Sequence, residues 1–393
     1  MKTQVAIIGG GPSGALLSHL LHRAGVESVV LEQRSADYVL GRIRAGVLEH
    51  GTSQILTAAG LGARMEAEGD VHDGVALAYG QAEVRIDFRE LVGRTVTVWG
   101  QTEVQTDLYD VVTTRPGTLL DEAADVAVQG IEGSAPVVTF TRGGQAERLE
   151  CDWVVGCDGA HGVSHTLIPA DVRRAYERAY PFGWLGIMSQ TPPVSPELIY
   201  ASHDRGFALC SMRHSMLSRY YIQCDADDAV DDWSDDRFWS ELSTRLPEAH
   251  AQRLVTGPSI EKSIAPLRSQ VAEPMRWGRL LMAGDAAHIV PPTGAKGLNL
   301  AVGDVALLAR ALQDHYDAGD DRALDTYSDR ALRRVWKAVR FSWWLTALMH
   351  RFPDRDDFDR RIQVAEFDLL ASSAHARATF ADNYTGLPLE WQA

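Results

Sequence analysis

Three turns rich in glycine or acid stand where the chain leaves a short apolar run, and each suits the binding of a phosphate or a polyol. The first is Gly9-Gly10-Gly11-Pro12-Ser13-Gly14, between Val5-Ala6-Ile7-Ile8 and a helix-like stretch from Ala15 to Ala24. Gly9, Gly11 and Gly14 permit a tight turn and close approach of the backbone to a pyrophosphate, with Ser13 in the same turn. The helix that follows directs its N-terminal amides at the negative charge. Glu32 ends a second strand-like run, Val29-Val30-Leu31, and its carboxylate suits an adenosine ribose. The second turn, Cys157-Asp158-Gly159-Ala160-His161-Gly162, follows Trp153-Val154-Val155. The third, Gly284-Asp285-Ala286-Ala287-His288, follows Leu280-Leu281-Met282-Ala283 and leads into Pro291-Pro292-Thr293-Gly294-Ala295-Lys296-Gly297-Leu298-Asn299. Asp285 is placed to accept hydrogen bonds from a flavin polyol; the alternative is a helix cap. Residues 294–299 open a helix whose amides can hold an electron-rich isoalloxazine oxygen.

A second group of residues has the chemistry to hold a carboxylate. In a strand ending at Arg213, Ser211 and Arg213 share a face, and in the next strand Arg219, Tyr221 and Gln223 share one. If the two strands pair as a hairpin through 214–218, then Ser211, Arg213 and Tyr221 converge. A guanidinium fork flanked by two hydroxyls suits a carboxylate. The alternative is a surface arginine and two core hydroxyls.

The elements that must position these groups read as an α/β protein. One nucleotide-binding unit covers about residues 1–70, and a helix at 101–113 follows a strand at 95–99. A strand pair is expected at 137–141 and 149–155, with Gly143-Gly144 at its turn. Short runs at 183–189, 198–202, 206–213 and 219–224 suggest an antiparallel meander, separate from the parallel sheet. A helical pattern returns at 233–255, and long helices run to about residue 373. A chain of 393 residues suggests two domains, consecutive or interleaved. The net charge of −15 argues against nucleic acid or an anionic membrane as partner, so an anionic substrate needs a local basic pocket. Four cysteines with no CxxC spacing suggest free thiols in a reducing cytoplasm and no metal site. The N-terminus runs straight into a strand, so no signal peptide is expected, and no apolar run has the length of a membrane span.

With these motifs in view the chain resembles the group A flavoprotein monooxygenases, and within them the hydroxylases of 4-hydroxybenzoate. The resemblance runs through Asp37 to Glu49, Tyr180 to Gly186, Arg205 to Ser211, Glu261 to Arg268, Ala283 to Leu300 and Arg351-Phe352-Pro353-Asp354. It implies a Rossmann-like FAD-binding domain of the glutathione-reductase type, interleaved with an antiparallel-sheet substrate domain and closed by C-terminal helices. The expected division is 1–70, 98–176 and 268–345 for FAD; 71–97 and 177–267 for substrate; and 346–393 for a helical region closing the site and forming a dimer interface. The implied activity is hydroxylation of 4-hydroxybenzoate to 3,4-dihydroxybenzoate with O2 and a nicotinamide cofactor, through a flavin C4a-hydroperoxide, in a cytoplasmic homodimer.

The resemblance also implies residue roles. Ser211, Arg213 and Tyr221 match the carboxylate-binding set. Tyr200 matches the tyrosine that meets the substrate phenol, Tyr384 its relay partner, and His72 the link to solvent. Such a relay removes the phenol proton without admitting bulk water. Pro292 matches a residue whose carbonyl senses the substrate hydroxyl, and Arg219 one that favours the buried flavin position. Arg42, Arg44, Gln101, Asp158, Asp285, Leu298 and Asn299 map onto cofactor contacts, and Lys296 onto a charge supporting the reduced flavin. A surface groove for the nicotinamide cofactor would use Gln33, Arg34, Tyr38, Arg42, His161, His165 and Arg268. Here Gln33 precedes Arg34, the reverse of the usual order, and His165 stands where arginine is usual. NADPH remains the first expectation, and these departures make NADH or dual use the alternative. Rival readings are a related hydroxylase of 4-aminobenzoate, 3-hydroxybenzoate or 3,4-dihydroxybenzoate, and a catalytically silent flavoprotein that senses an aromatic acid.

Overall fold

Val5–Ile8 is a run of four apolar residues buried on both faces, as the centre of a parallel sheet requires. In the computed structural model, which describes residues 1–41 and 46–389, it lies in a six-stranded sheet. The order is Arg276–Trp277, Leu280–Met282, Trp153–Gly156, Val5–Ile8, Ser28–Leu31 and Leu119–Leu120. All neighbours are parallel except the outermost pair. The three turns of the sequence therefore leave the carboxyl ends of three adjacent parallel strands, where such sheets bind ligands. Helix Pro12–Arg23 packs between helices Gly297–Ala318 and Gln101–Val112.

The strand pair about Gly143-Gly144 differs from expectation. Val137–Arg142 pairs with Gln145–Glu150 and with Ala124–Gln129. Trp153–Gly156 leaves this small sheet because its buried apolar side chains suit a sheet covered on both faces.

The second large sheet has eight strands, in the order His288–Ile289, Ser259–Glu273, Arg174–Ser189, Leu217–Asp225, Gly206–His214, Ile199–His203, Gly74–Tyr79 and Ala82–Asp87. It is not the simple meander expected. Arg174–Ser189 pairs with Leu217–Asp225 rather than with the strand after it, and Ile199–His203 runs parallel to Gly74–Tyr79. Both departures rest on pairings between segments distant in sequence, which local alternation does not encode. The strands Arg174–Ser189 and Ser259–Glu273 pair antiparallel along most of their length, with irregularities between Ala179 and Gly183 and between Met188 and Ser189. The helical pattern at 233–255 is two helices, Asp235–Arg245 and Glu248–Ala251, separated at Pro247, and helix continues beyond 373 in Ala374–Tyr384. On one sheet face, Ile199, Ala201, Ala208, Cys210, Tyr220 and Ile222 pack against Phe238, Trp239 and Leu242. The opposite face meets the C-terminal helices.

His350, at the end of helix Tyr327–Met349, is the polar anchor of that second contact. Its ring stacks on Phe182 and Phe207 at 4.7 and 4.4 Å between centroids. Trp184 Nε1 donates to His350 Nε2 at 2.7 Å, so the ring proton sits on Nδ1 and is donated to the Thr346 carbonyl at 3.0 Å. Burial pushes the His350 pKa down to about 3. An unfolded histidine titrates near 6.5, so between these values the unfolded chain takes up a proton that the folded chain refuses. Stability is lost as pH falls through that window, by up to roughly 1.4 kcal/mol per pH unit. Urea unfolding across this range should show a shallower pH slope in His350→Gln than in the parent; equal slopes would assign the acid sensitivity elsewhere.

Candidate active site

The register of the eight-stranded sheet gathers the polar groups. Tyr200 lies opposite Leu209, Leu209 opposite Tyr221, and Ser211 opposite Arg219. Cross-strand partners share a face, so Tyr200, Ser211, Arg219 and Tyr221 all project toward the C-terminal helices. Arg213 follows on the same strand, beside an irregularity between Met212 and His214. Arg219 donates from Nε to the Tyr221 hydroxyl at 3.0 Å and from Nη1 to Glu261 at 2.7 Å. Its guanidinium also lies 5.1 Å from the Tyr221 ring centroid. Burial pushes the Arg213 pKa down; contact with Tyr221 opposes this and the neighbouring Arg219 charge adds to it. For Arg219 burial is again the largest effect, but Tyr221 and Glu261 outweigh it and the pKa is raised. Two cations held this close repel, and an anion between them relieves the repulsion. Arginine can only donate, so the Tyr221 proton remains available as a donor. Ser211, Arg213 and Tyr221 thus lie close together, a guanidinium and two hydroxyls of a kind that can hold a carboxylate.

Gly186 makes room for this arrangement. A Cβ there would stand 2.6 Å from the Tyr221 ring. Neither Gly186 nor Glu261 stood out in the sequence as a site residue, although both fall in or beside stretches that carried the resemblance.

Tyr200 and Tyr384 meet hydroxyl to hydroxyl at 2.9 Å, both buried. Burial pushes the Tyr200 pKa well above its usual value and that of Tyr384 up to about 12. The ring of Tyr384 stacks between Phe88 and Phe380, 5.1 and 5.6 Å away. His72 is buried, makes no direct hydrogen bond to either tyrosine among the described residues, and contacts Asp70. Pro292 is exposed at the start of the turn Pro292–Gly294, with its carbonyl accepting from Ala295 N at 2.9 Å.

At the parallel sheet, the residues fit a dinucleotide. Gly9 has φ +105°, and a Cβ there would collide with the Cys157 carbonyl. Nothing lies within 4 Å of a Cβ built on Gly11, which leaves its backbone open to approach. Neither helix Pro12–Arg23 nor helix Gly297–Ala318 has a side-chain cap, so their leading amides are free to bind an anion. Ser13 lies beside the third turn, close to Gly284. Glu32 is fixed by the amides of Gly10 and Arg34 at 2.7 and 2.8 Å, and its carboxylate keeps lone pairs for ribose hydroxyls. Asp285 is exposed within an otherwise buried turn. Asp304, unremarked in the sequence, holds that turn: it accepts from Gly284 N at 3.0 Å and bonds His288 at 2.6 Å. An acid in the apolar face of a helix was the available signal. Asp158 accepts from the amide and hydroxyl of Ser164, both at 2.9 Å, and its other oxygen is buried without a partner.

Other candidates have mainly internal partners. Lys296 donates to Glu49 at 2.7 Å, to the Tyr384 carbonyl at 3.1 Å and to the Asn383 carbonyl. Burial pushes its pKa down against the pull of Glu49. Asn299 accepts from Glu49 N and donates to the carbonyls of Val47 and Ala295. Gln101 begins its helix and Leu298 is half-buried. In the nicotinamide group, Gln33, Arg34, Tyr38 and His161 are exposed, and His165 and Arg268 half-buried. Arg34 lies 5.3 Å from the Tyr38 ring centroid. Arg42 and Arg44 lie outside the described residues.

Gly9→Ala should yield protein purified without the yellow flavin absorbance, because the added methyl meets backbone that has no rotamer to change. Flavin retained at the parent stoichiometry would show that this turn does not carry the cofactor.

Comparisons with known proteins agree with this geometry. The family model described as an FAD binding domain matches residues 2–342. The p-hydroxybenzoate hydroxylase of Acinetobacter baylyi is 51% identical over 391 residues, 99% of this chain and 96% of that protein. A 3-(3-hydroxy-phenyl)propionate/3-hydroxycinnamic acid hydroxylase of Mycobacterium avium is 25% identical over 83% of this chain and 57% of its own length. The crystal structure of p-nitrophenol 4-monooxygenase PnpA from Pseudomonas putida superposes with a TM-score of 0.83 over 98% of this chain and 99% of that one, at 20% identity, a likeness of fold. The chain belongs to the FAD-binding flavoprotein monooxygenases that act on aromatic compounds.

Proposed function

We propose that this flavoprotein hydroxylates 4-hydroxybenzoate to 3,4-dihydroxybenzoate, using O2 and NADPH, with NADH as the alternative reductant. The observation that carries the reading is the buried hydroxyl pair of Tyr200 and Tyr384 on the same sheet face as Ser211, Arg213 and Tyr221. The similarity to the Acinetobacter enzyme supports the substrate. FAD, when bound, supplies hydride acceptance from the nicotinamide and oxygen transfer to the ring.

The chain's own residues do the rest. Arg213 offers a fork to the substrate carboxylate, with the hydroxyls of Ser211 and Tyr221 completing the clamp. The para hydroxyl then meets Tyr200. A phenol is a poor nucleophile and a phenolate a good one at the ring carbon beside the oxygen. Tyr200 takes that proton as it gives its own to Tyr384. Burial disfavours a charge on either ring, so each tyrosine gives a proton as it takes one. Tyr384 gives up its own proton in turn, and buried His72, with the exposed Asp70 carboxylate beside it, receives that proton. The same reading assigns the parallel-sheet region to FAD, the eight-stranded sheet to substrate, and the groove around Arg34, His161 and Arg268 to the nicotinamide cofactor. It also places the protein in the cytoplasm as a homodimer, supported by four buried free thiols and by exposed Phe358, Ile362 and Leu369 on one C-terminal helix. Among the described residues no helix is long and apolar enough to cross a membrane.

The direct test is NADPH and NADH oxidation with and without 4-hydroxybenzoate, alongside assay of 3,4-dihydroxybenzoate. Strong stimulation with near-matching product is expected. Stimulation with peroxide in place of product would point to an amino- or dihydroxybenzoate, and no stimulation to the sensor reading. Arg213→Ala should weaken binding of 4-hydroxybenzoate by about 2–5 kcal/mol, as for a buried charge pair that loses one member. An unchanged dissociation constant would remove Arg213 from the carboxylate clamp.

A further inference from the structure

We propose that Asp70 is a positioning residue for His72, holding the imidazole in the tautomer that leaves a bare nitrogen inside the protein. Its functional meaning rests on the proton-relay reading above; its geometry does not. In the short strand Asp70–His72 side chains alternate, so Asp70 and His72 share a face and Val71 takes the other. The His72 side chain is 1% exposed and that of Asp70 50% exposed, with His72 Nε2 3.2 Å from Asp70 Oδ2. An ionised carboxylate has no proton to give, so the hydrogen of this bond belongs to Nε2. In a neutral ring that makes Nδ1 a lone-pair acceptor. Nδ1 is buried and has no hydrogen-bond partner. A buried acceptor left bare is costly and calls for a reason; reception of a proton is one.

The segment is also fastened to the relay. The Asp73 carbonyl accepts from Phe88 N at 2.6 Å, and the Phe88 ring stacks on Tyr384 at 5.1 Å. A proton arriving from the tyrosine pair is taken by Nδ1, and the imidazolium so formed is balanced by the Asp70 carboxylate. The Nε2 proton then passes by way of that exposed carboxylate to water. When product leaves, the sequence reverses: Nε2 regains a proton from water and Nδ1 returns its own inward. Atoms and charge balance over the cycle. Asp70 sets the direction, since without it either nitrogen can carry the resting proton.

The test uses FAD-loaded protein with 15N-labelled histidine, comparing the parent with Asp70→Leu and Asp70→Glu. The His72 ring spectrum should report the Nε2–H tautomer in the parent, a mixture or the Nδ1–H form in Asp70→Leu, and recovery in Asp70→Glu. In stopped flow, ionisation of bound 4-hydroxybenzoate should slow by up to about a hundredfold in Asp70→Leu, the lower end of what a positioned proton acceptor contributes, with flavin content and substrate affinity unchanged. A parent spectrum of the Nδ1–H form, or a spectrum and ionisation rate unaltered in Asp70→Leu, would overturn the assignment. A parent protein that does not bind 4-hydroxybenzoate refutes the substrate reading instead, and the tautomer spectrum still decides the role of Asp70.

Discussion

The hydrogen bond between the Tyr200 and Tyr384 hydroxyls spans 184 positions of sequence and joins an inner strand of the large sheet to the C-terminal helix Ala374–Tyr384. Much of the structure serves to keep that contact in place and dry. Tyr384 lies between two phenyl rings, and its carbonyl is held by Lys296. Lys296 is in turn ion-paired with Glu49, whose amide is held by Asn299. Glu49 also meets Arg334 at 3.2 Å. The start of helix Gly297–Ala318, the segment 47–49 and the C-terminal helix are thus tied at one buried knot. On the sheet side, Tyr200 is packed through Phe207, which stacks on His350 and Trp184. A hydroxyl pair in this setting stays neutral, so it can pass a proton without storing a charge.

The electrostatics around Tyr221 run against those of the molecule. The chain carries a net charge of −15, yet Arg213 and Arg219 stand together on one face. The sheet holds them there at a cost, visible in the pKa of Arg213 being pushed down by burial and by its neighbour. Glu261 relieves Arg219, and Arg219, by donating to the Tyr221 oxygen, leaves the Tyr221 proton as a donor. In the proposed function an anionic ring carboxylate would complete this balance at short range, where solvent and salt screen least.

The nucleotide half of the protein was legible in the sequence because its signals are local. A strand, a glycine turn, a helix and an acid fall within a short stretch, and the structure brings the three turns to adjacent strands. Convergence of Ser211, Arg213 and Tyr221 was legible for the same reason: one hairpin sets it. The large sheet was legible only in part. Its strands were visible as runs, but the pairing of Arg174–Ser189 with Leu217–Asp225, and of Ile199–His203 with Gly74–Tyr79, depends on contacts that no local pattern records. The hairpin about Gly143-Gly144 was misjudged because the apolar run after Cys151 reads as strand wherever it is placed. Gly186, Glu261 and Asp304 matter through what lies opposite them in space. Tyr384 and His72 were reached by resemblance; no spacing links them to Tyr200.

The claim on which the account turns is that the tyrosine pair lets a bound phenol lose its proton inside the protein. The most direct measurement is the ultraviolet absorbance of enzyme-bound 4-hydroxybenzoate as a function of pH, in the parent, in Tyr200→Phe and in Tyr384→Phe. The account predicts phenolate absorbance in the parent at lower pH than for the free acid, with the shift abolished in Tyr200→Phe and reduced in Tyr384→Phe, and binding retained in both. The same titration curve in all three proteins would contradict it.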